Sequence, residues 1–151
     1  MKVLYIDAFS GISGDMTVGA LLALGVPLDS IKQQLALLPL SGYTISIAPR
    51  HVHGIGATKF NVQVAAHGHA HRPFRDIRSM LEHSQLDAGA QQLALAIFAR
   101  LADAEARVHG VAPDDVEFHE VGAVDSIVDI VGTAVGVTTL GVEATYVSPL
   151  P

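Results

Sequence analysis

Residues 118–132 read FHEVGAVDSIVDIVG, and their interpretation decides the fold. From Val121 to Leu140 the chain has twenty residues, of which only Asp125 and Asp129 ionise. The run is long enough to span a bilayer, but each Asp would cost ~3 kcal/mol there, and the Gly and Thr content weakens that possibility further. A buried helix over about Val124–Leu140, stopped by Gly141, is expected instead. Its two acids then lie one turn apart on one face, where like charges repel. The helix dipole favours Asp125 at the start. Asp129 sits one turn deeper, among Ile127, Val128, Ile130 and Val131, and an ionised carboxylate there needs a partner. The plain alternative is an Asp125 that caps and an Asp129 that pairs with an Arg or faces water.

His119 and Glu120 stand just before this helix. Together the four residues form H-E-x4-D-x3-D, an imidazole and three carboxylates within eleven residues. Such a hard-leaning set suits Mg²⁺, Mn²⁺ or Ni²⁺ better than Cu(I). The HExxH spacing of a zinc protease helix is absent.

Working outward, Val3–Ile6 reads as a buried strand and Ser10–Asp15 as a turn. An apolar helix over about Asp15–Leu24 is stopped by Gly25 and Pro27, and a second runs over about Leu28–Leu38. Tyr43–Ala48 and Lys59–Val64 alternate apolar and polar residues, which predicts two strands joined by a hairpin at His51–Gly54. His67-Gly-His-Ala-His71 is a loop by composition. Pro73 opens a helix to about His83, and a long Ala/Leu-rich helix over roughly Ala88–His109 is closed by Gly110. Ala144–Val147 is a last strand. The expected fold is therefore α/β, in the order β-α-α-β-β-α-α-α-β. If each element reverses its predecessor, it contains one mixed sheet of about four strands, mostly parallel with one antiparallel strand from the hairpin, and helices packed on it. The same parity places the turn after strand one, the His67–His71 loop and the start of the Asp125 helix at the carboxyl end of the parallel strands, where open α/β sheets carry their sites. His51 and His53 fall at the other end, roughly 40 Å away along an extended strand.

The whole chain of 151 residues fits one domain. Half of its residues are hydrophobic and 16% are charged, so a core can be buried. A net charge of −6 and nine Lys plus Arg, with no basic run, argue against nucleic acid as the partner. The absence of Cys excludes disulfides, thiolate zinc sites, iron–sulfur clusters and a Cys nucleophile, leaving imidazole and carboxylate as metal ligands. The start of the chain is too short for a signal peptide's apolar core, so a cytoplasmic protein with no membrane partner is expected.

The expected metal ligands are His67, His69, His71, His119, Glu120, Asp125 and Asp129. The first three alternate, so an extended segment would project all three imidazoles to one side; a solvated polar loop is the alternative. Asp125, Asp129 and Glu120 are also the candidate catalytic acids and bases. Ser10, Gly11, Ser13, Gly14 and Asp15 form a strand–loop–helix junction whose backbone N–H groups could hold a phosphate or carboxylate, although a simple helix cap uses the same residue types.

Three stretches, DAFSGISGDM (7–16), HGHAHRPFRDI (67–77) and FHEVGAVDSIVDIVG (118–132), resemble the LarC family of nickel-pincer cofactor biosynthesis proteins, as does the terminal SPLP (148–151). The resemblance runs in order across the chain. It implies a nickel insertase of the lyase or chelatase class, placing Ni²⁺ into pyridinium-3,5-bisthiocarboxylic acid mononucleotide to make the cofactor of lactate racemase. It also implies dependence on CTP with Mg²⁺ or Mn²⁺. Members are larger, so residues 1–151 correspond to an N-terminal, nickel-handling part without the CTP-binding C-terminal part. Two other functions fit the residues: a nickel chaperone or storage module without chemistry, and a Mg²⁺-dependent phosphohydrolase using Asp7, Asp15, Asp125 and Asp129. The apolar composition suits a homo-oligomer.

Overall fold

A computed structural model describes residues 1–65, 72–118 and 121–150. The elements are β1 (Val3–Ile6), α1 (Gly14–Ala23), α2 (Leu28–Leu35), β2 (Tyr43–Val52), β3 (Ile55–Val64), β4 (Arg72–Pro73), α3 (Phe74–Glu82), α4 (Ala88–His109), β5 (Glu117–Phe118), α5 (Val124–Thr139) and β6 (Ala144–Val147), with a single 3₁₀ turn at Pro113–Asp115.

Helix α5 is the hub. Its Val124, Ile127, Val128, Val131, Ala134 and Val135 are buried, and it packs on α1, α2, α4 and β3. Two of its glycines let α1 come close: a Cβ on Gly136 would fall 2.8 Å from Cδ1 of Leu21, and one on Gly132 would fall 3.3 Å from Cγ2 of Val18. Helix α4 presents Ala90, Ala94, Phe98, Ala102 and Ala106 to the core, a strict i, i+4 stripe whose small residues suit close helix packing. Glycines end three helices where the pattern predicts, with positive φ at Gly25, Gly110 and Gly141.

The protein is mixed α/β, but among the described residues the expected four-stranded sheet does not form. The strands make three separate two-stranded ladders: β1 with β6, β2 with β3, and β4 with β5. The β1–β6 pair is parallel and the hairpin antiparallel, as expected. The hairpin does not continue the β1–β6 sheet because α1 packs against its face: the backbone of β3 at Thr58–Phe60 presses on Gly19. Parity gave the relative directions within these two ladders correctly and said nothing of which layer holds each strand.

Strand β1 is also less buried than its apolar run implies, with Val3 43% and Tyr5 63% exposed. The β4–β5 pair has two residues per strand, too few for alternation to reveal. It stacks Phe118 against Phe74 and Phe98, with ring centroids 6.2 Å apart in both pairs. Among the described residues no helix is long and apolar enough to cross a membrane.

Candidate functional site

The β1–α1 turn and the first turns of α5 meet. Helix α1 begins at Gly14, and a Cβ there would lie 2.7 Å from Cβ and 2.8 Å from Oδ2 of Asp129. Only glycine lets the carboxyl of Asp129 reach the helix start, where it accepts the backbone N–H of Asp15. Asp15, Asp125 and Asp129 then line one polar cleft of about 330 Å³ whose opposite wall is Lys59–Val62 of β3.

Asp129 is the unsatisfied member. Its Oδ1 is buried with no hydrogen-bond partner among the described residues. Burial, and then the neighbouring charges of Asp15 and Asp125, push its pKa from 3.8 up to about 7, against the opposing pull of the Asp15 N–H. The other two acids have local partners: Asp15 accepts the hydroxyl of Ser13, and Asp125 accepts the backbone N–H of Ser126 at 2.8 Å. Among the described residues no Lys or Arg lies within ion-pairing distance of any of the three acids. The plain alternative of an Arg partner for Asp129 is therefore not what the structure builds.

The structure divides the remaining sequence candidates. Gly11, at φ 84°, closes a turn in which its N–H reaches the carbonyl of Ala8 at 2.9 Å. It lines a different, mostly apolar cleft together with Asp7 and Ile12. Ser10 is exposed. Asp7 therefore lines a different cleft from Asp15, Asp125 and Asp129, the set a phosphohydrolase would need together. Ser13 is the N-cap of α1 without a side-chain cap bond. At this helix start, where a ligand phosphate is expected, the N–H of Asp15 is already accepted by the carboxyl of Asp129.

His67, His69, His71, His119 and Glu120 lie outside the described residues. Their flanks are described: Arg72 and Phe118 are register partners in the β4–β5 ladder. Gly122 fits against the same two residues, where a Cβ would meet the Phe118 carbonyl at 2.8 Å and the Arg72 N and O at 2.9 Å. Arg72, Phe118 and Gly122 thus come together at one point. Among the described residues alone, no three His, Asp or Glu are arranged to hold a metal ion.

Sequence reasoning missed the β3 wall. Lys59 and Asn61 alternate with Phe60 and Val62, which reads as an ordinary wet face, yet Lys59 is half-buried beside the acids.

An acid held protonated near pH 7 by burial and like charge, with a lone oxygen facing a cleft, can do two things. It can bind a cation that removes the repulsion, or take up a proton at neutral pH. Gly14→Ala tests how tightly the arrangement is built. The new methyl must displace Asp129, with an expected loss of about 1–2 kcal/mol of stability and weaker cation binding, read by thermal melting and Ni²⁺ titration.

These features fit a known class. Residues 4–151 match the family described as nickel insertion protein, and the chain belongs to that family. Its relatives include one in Citrifermentans bemidjiense, 54% identical over 151 residues, and one in Roseiflexus castenholzii, 48% identical over 151 residues; both bear names containing "nickel insertion protein". They match over 100% and 99% of this chain. A third, in Geobacillus kaustophilus, is 48% identical over 160 residues and covers the whole chain; it is named pyridinium-3,5-bisthiocarboxylic acid mononucleotide nickel insertion protein. The chain spans only 38–39% of the length of these relatives. No solved structure matches it.

Proposed function

We propose that this chain is the nickel-handling part of an insertase that places Ni²⁺ into pyridinium-3,5-bisthiocarboxylic acid mononucleotide, forming the nickel-pincer cofactor of lactate racemase. The carrying observation is the buried, unpartnered Oδ1 of Asp129 between Asp15 and Asp125. Nickel is the cargo. Asp125 and Asp129 contribute carboxylate ligands, with His119 and Glu120 completing the set from the segment that enters α5. His67, His69 and His71 collect the ion; Arg72 and Phe118, the described residues next in sequence to His71 and His119, are register partners. As nickel bonds the organic ligand a proton is released, and Asp129 or Glu120 takes it up. The Ser13–Asp15 start of α1 fixes Asp129 in place, and Ser10 and Gly11 shape the approach. CTP with Mg²⁺ or Mn²⁺ acts through the part of the longer relatives beyond the matched region. A cytoplasmic setting suits such biosynthesis. Exposed Tyr5, Phe9, Met16 and Tyr146 favour a homo-oligomer, which light scattering reads directly.

Isothermal titration with Ni²⁺ at pH 7.5 tests the site. Asp125→Asn should weaken binding by about tenfold, as losing one exposed ligand does, and His67/His69/His71→Ala should remove the fast-exchanging ions. Adding the bisthiocarboxylic mononucleotide to nickel-loaded protein should then give a charge-transfer absorbance. Tight nickel binding with no response to the mononucleotide would leave only a storage module.

A further inference from the structure

The nickel-insertion function implies a ligand with a phosphate, and at the start of α1 the N–H of Asp15 already serves Asp129. A second cleft of about 220 Å³ adjoins the acid cleft and shares Asp15, Lys59 and Phe60 with it. Its wall carries Arg50. In the β2–β3 register Lys59 faces Ala48, and Arg50 lies two residues further along the same strand. Arg50 and Lys59 are therefore diagonal neighbours on one face of the hairpin, about 7–8 Å apart at their backbones, close enough for both to reach one phosphate. Val52 and Ala57 stand on the same face and give the cleft an apolar floor.

Among the described residues, no hydrogen bond or ion pair is made by the side chain of Arg50 or of Lys59, although Asp15 lines the same cleft. Lys59 is half-buried, and an ammonium with no partner at bonding distance gains a charge-assisted contact when an anion arrives. The joined groove thus has Asp125 and Asp129 at one end and Arg50 at the other, with Asp15 and Lys59 at the junction between them. Taken together, the two clefts reach the size of small-molecule sites, about 300–1,000 Å³.

We propose that Arg50 and Lys59 bind the phosphate of a pyridine mononucleotide lying along this groove, with its ring end directed to Asp125 and Asp129. Arg50 supplies the forked guanidinium that fits two phosphate oxygens, and Lys59 supplies a point charge at the junction of the clefts. The cations select for the phosphorylated ligand and the acids for the metal. This assignment rests on the nickel-insertion function, but it is tested separately from it.

The experiment is calorimetric titration of the chain, and of Arg50→Ala, Lys59→Met and the double variant, with nicotinic acid mononucleotide, with its dephosphorylated nucleoside and with Ni²⁺. Each single variant should weaken mononucleotide binding by about tenfold, the loss of one charge-assisted contact, and the double variant by more. The nucleoside should bind weakly and equally to all four proteins, and Ni²⁺ affinity should not fall. Equal mononucleotide binding by wild type and double variant overturns the assignment, as does no preference for the mononucleotide over the nucleoside. A wild-type chain that discriminates the phosphate through these two residues yet binds no Ni²⁺ supports the phosphate site and removes the nickel function instead. Melting curves confirm that the variants are folded, as expected for side chains outside the core.

Discussion

Asp129→Asn should abolish high-affinity nickel capture while making the metal-free chain more stable above pH 7. The two effects have one origin. In the folded chain Asp129 keeps its proton up to about pH 7, whereas the unfolded chain releases it near 3.8. Between those values the folded state binds more protons than the unfolded state, so this residue's contribution to stability falls as pH rises, and the penalty is complete above about 7. Full burial would make a shift of this size worth about 4 kcal/mol; Asp129 is only partly buried, and solvent screening reduces the cost to roughly 1–2 kcal/mol. Asn has the same shape and no charge, so it removes that cost. The gain should be largest above pH 7 and vanish near pH 4, as read by thermal melting across pH. Nickel affinity should drop by roughly 100-fold or more, because an amide cannot supply the anionic oxygen. For the wild type, the same proton competes with the metal, so affinity should weaken as pH falls through about 7 and binding should release protons. An Asp129→Asn variant that binds nickel normally, with an unchanged melting profile, removes Asp129 from the site.

The opposed signs separate a binding site from a structural ion pair. Breaking a buried pair by removing one partner is destabilising, whereas here removal of the charge should stabilise. A carboxyl held among like charges at a cost to stability is what the proposed cation site predicts.

How far the sequence reveals this depends on the length scale of each signal. Helix ends were legible because Gly25, Gly110 and Gly141 take the left-handed conformations that end helices. The Asp125–Asp129 pair was legible because two charges in an apolar run call for a reason. Its meeting with Asp15 followed from parity, which brings the β1–α1 turn and the start of α5 to the same end. The sheet was not legible, because alternation says that a strand has a wet face and a dry one but not which layer covers the dry face. Gly19 carried the information, yet a lone glycine in a helix reads equally well as a tolerated defect. Arg50 and Lys59 were invisible for a related reason: they are scattered cations on strand faces, and only the β2–β3 register makes them neighbours. The apolar composition of α1 all round (GDMTVGALLA) was a second clue to its place between two layers.

Gly19→Ala tests that placement and should be the most destabilising of these substitutions. A methyl on Gly19 would run into the carbonyl oxygen of Thr58 and lie 3.5 Å from the N of Phe60. The obstacle is backbone, so no side-chain rotation relieves it. Thr58 is held by its register with Pro49 inside a ladder of ten residue pairs, and the opposite face of α1 is pinned to α5 through Leu21 at Gly136. Either the hairpin or the helix must move. Alanine's better helix propensity returns only about 1 kcal/mol, against an overpacking cost of about 3 kcal/mol or more. The net loss should lower the melting temperature by roughly 5–10 °C for a chain of this size. Because α1 carries Asp15 and β3 carries Lys59, the shift should weaken nickel and mononucleotide binding together, whereas Asp129→Asn should affect the metal first. A Gly19→Ala protein that melts with the wild type would mean that β3 does not lie on α1, and the cleft between the acids and Lys59 would lose its wall.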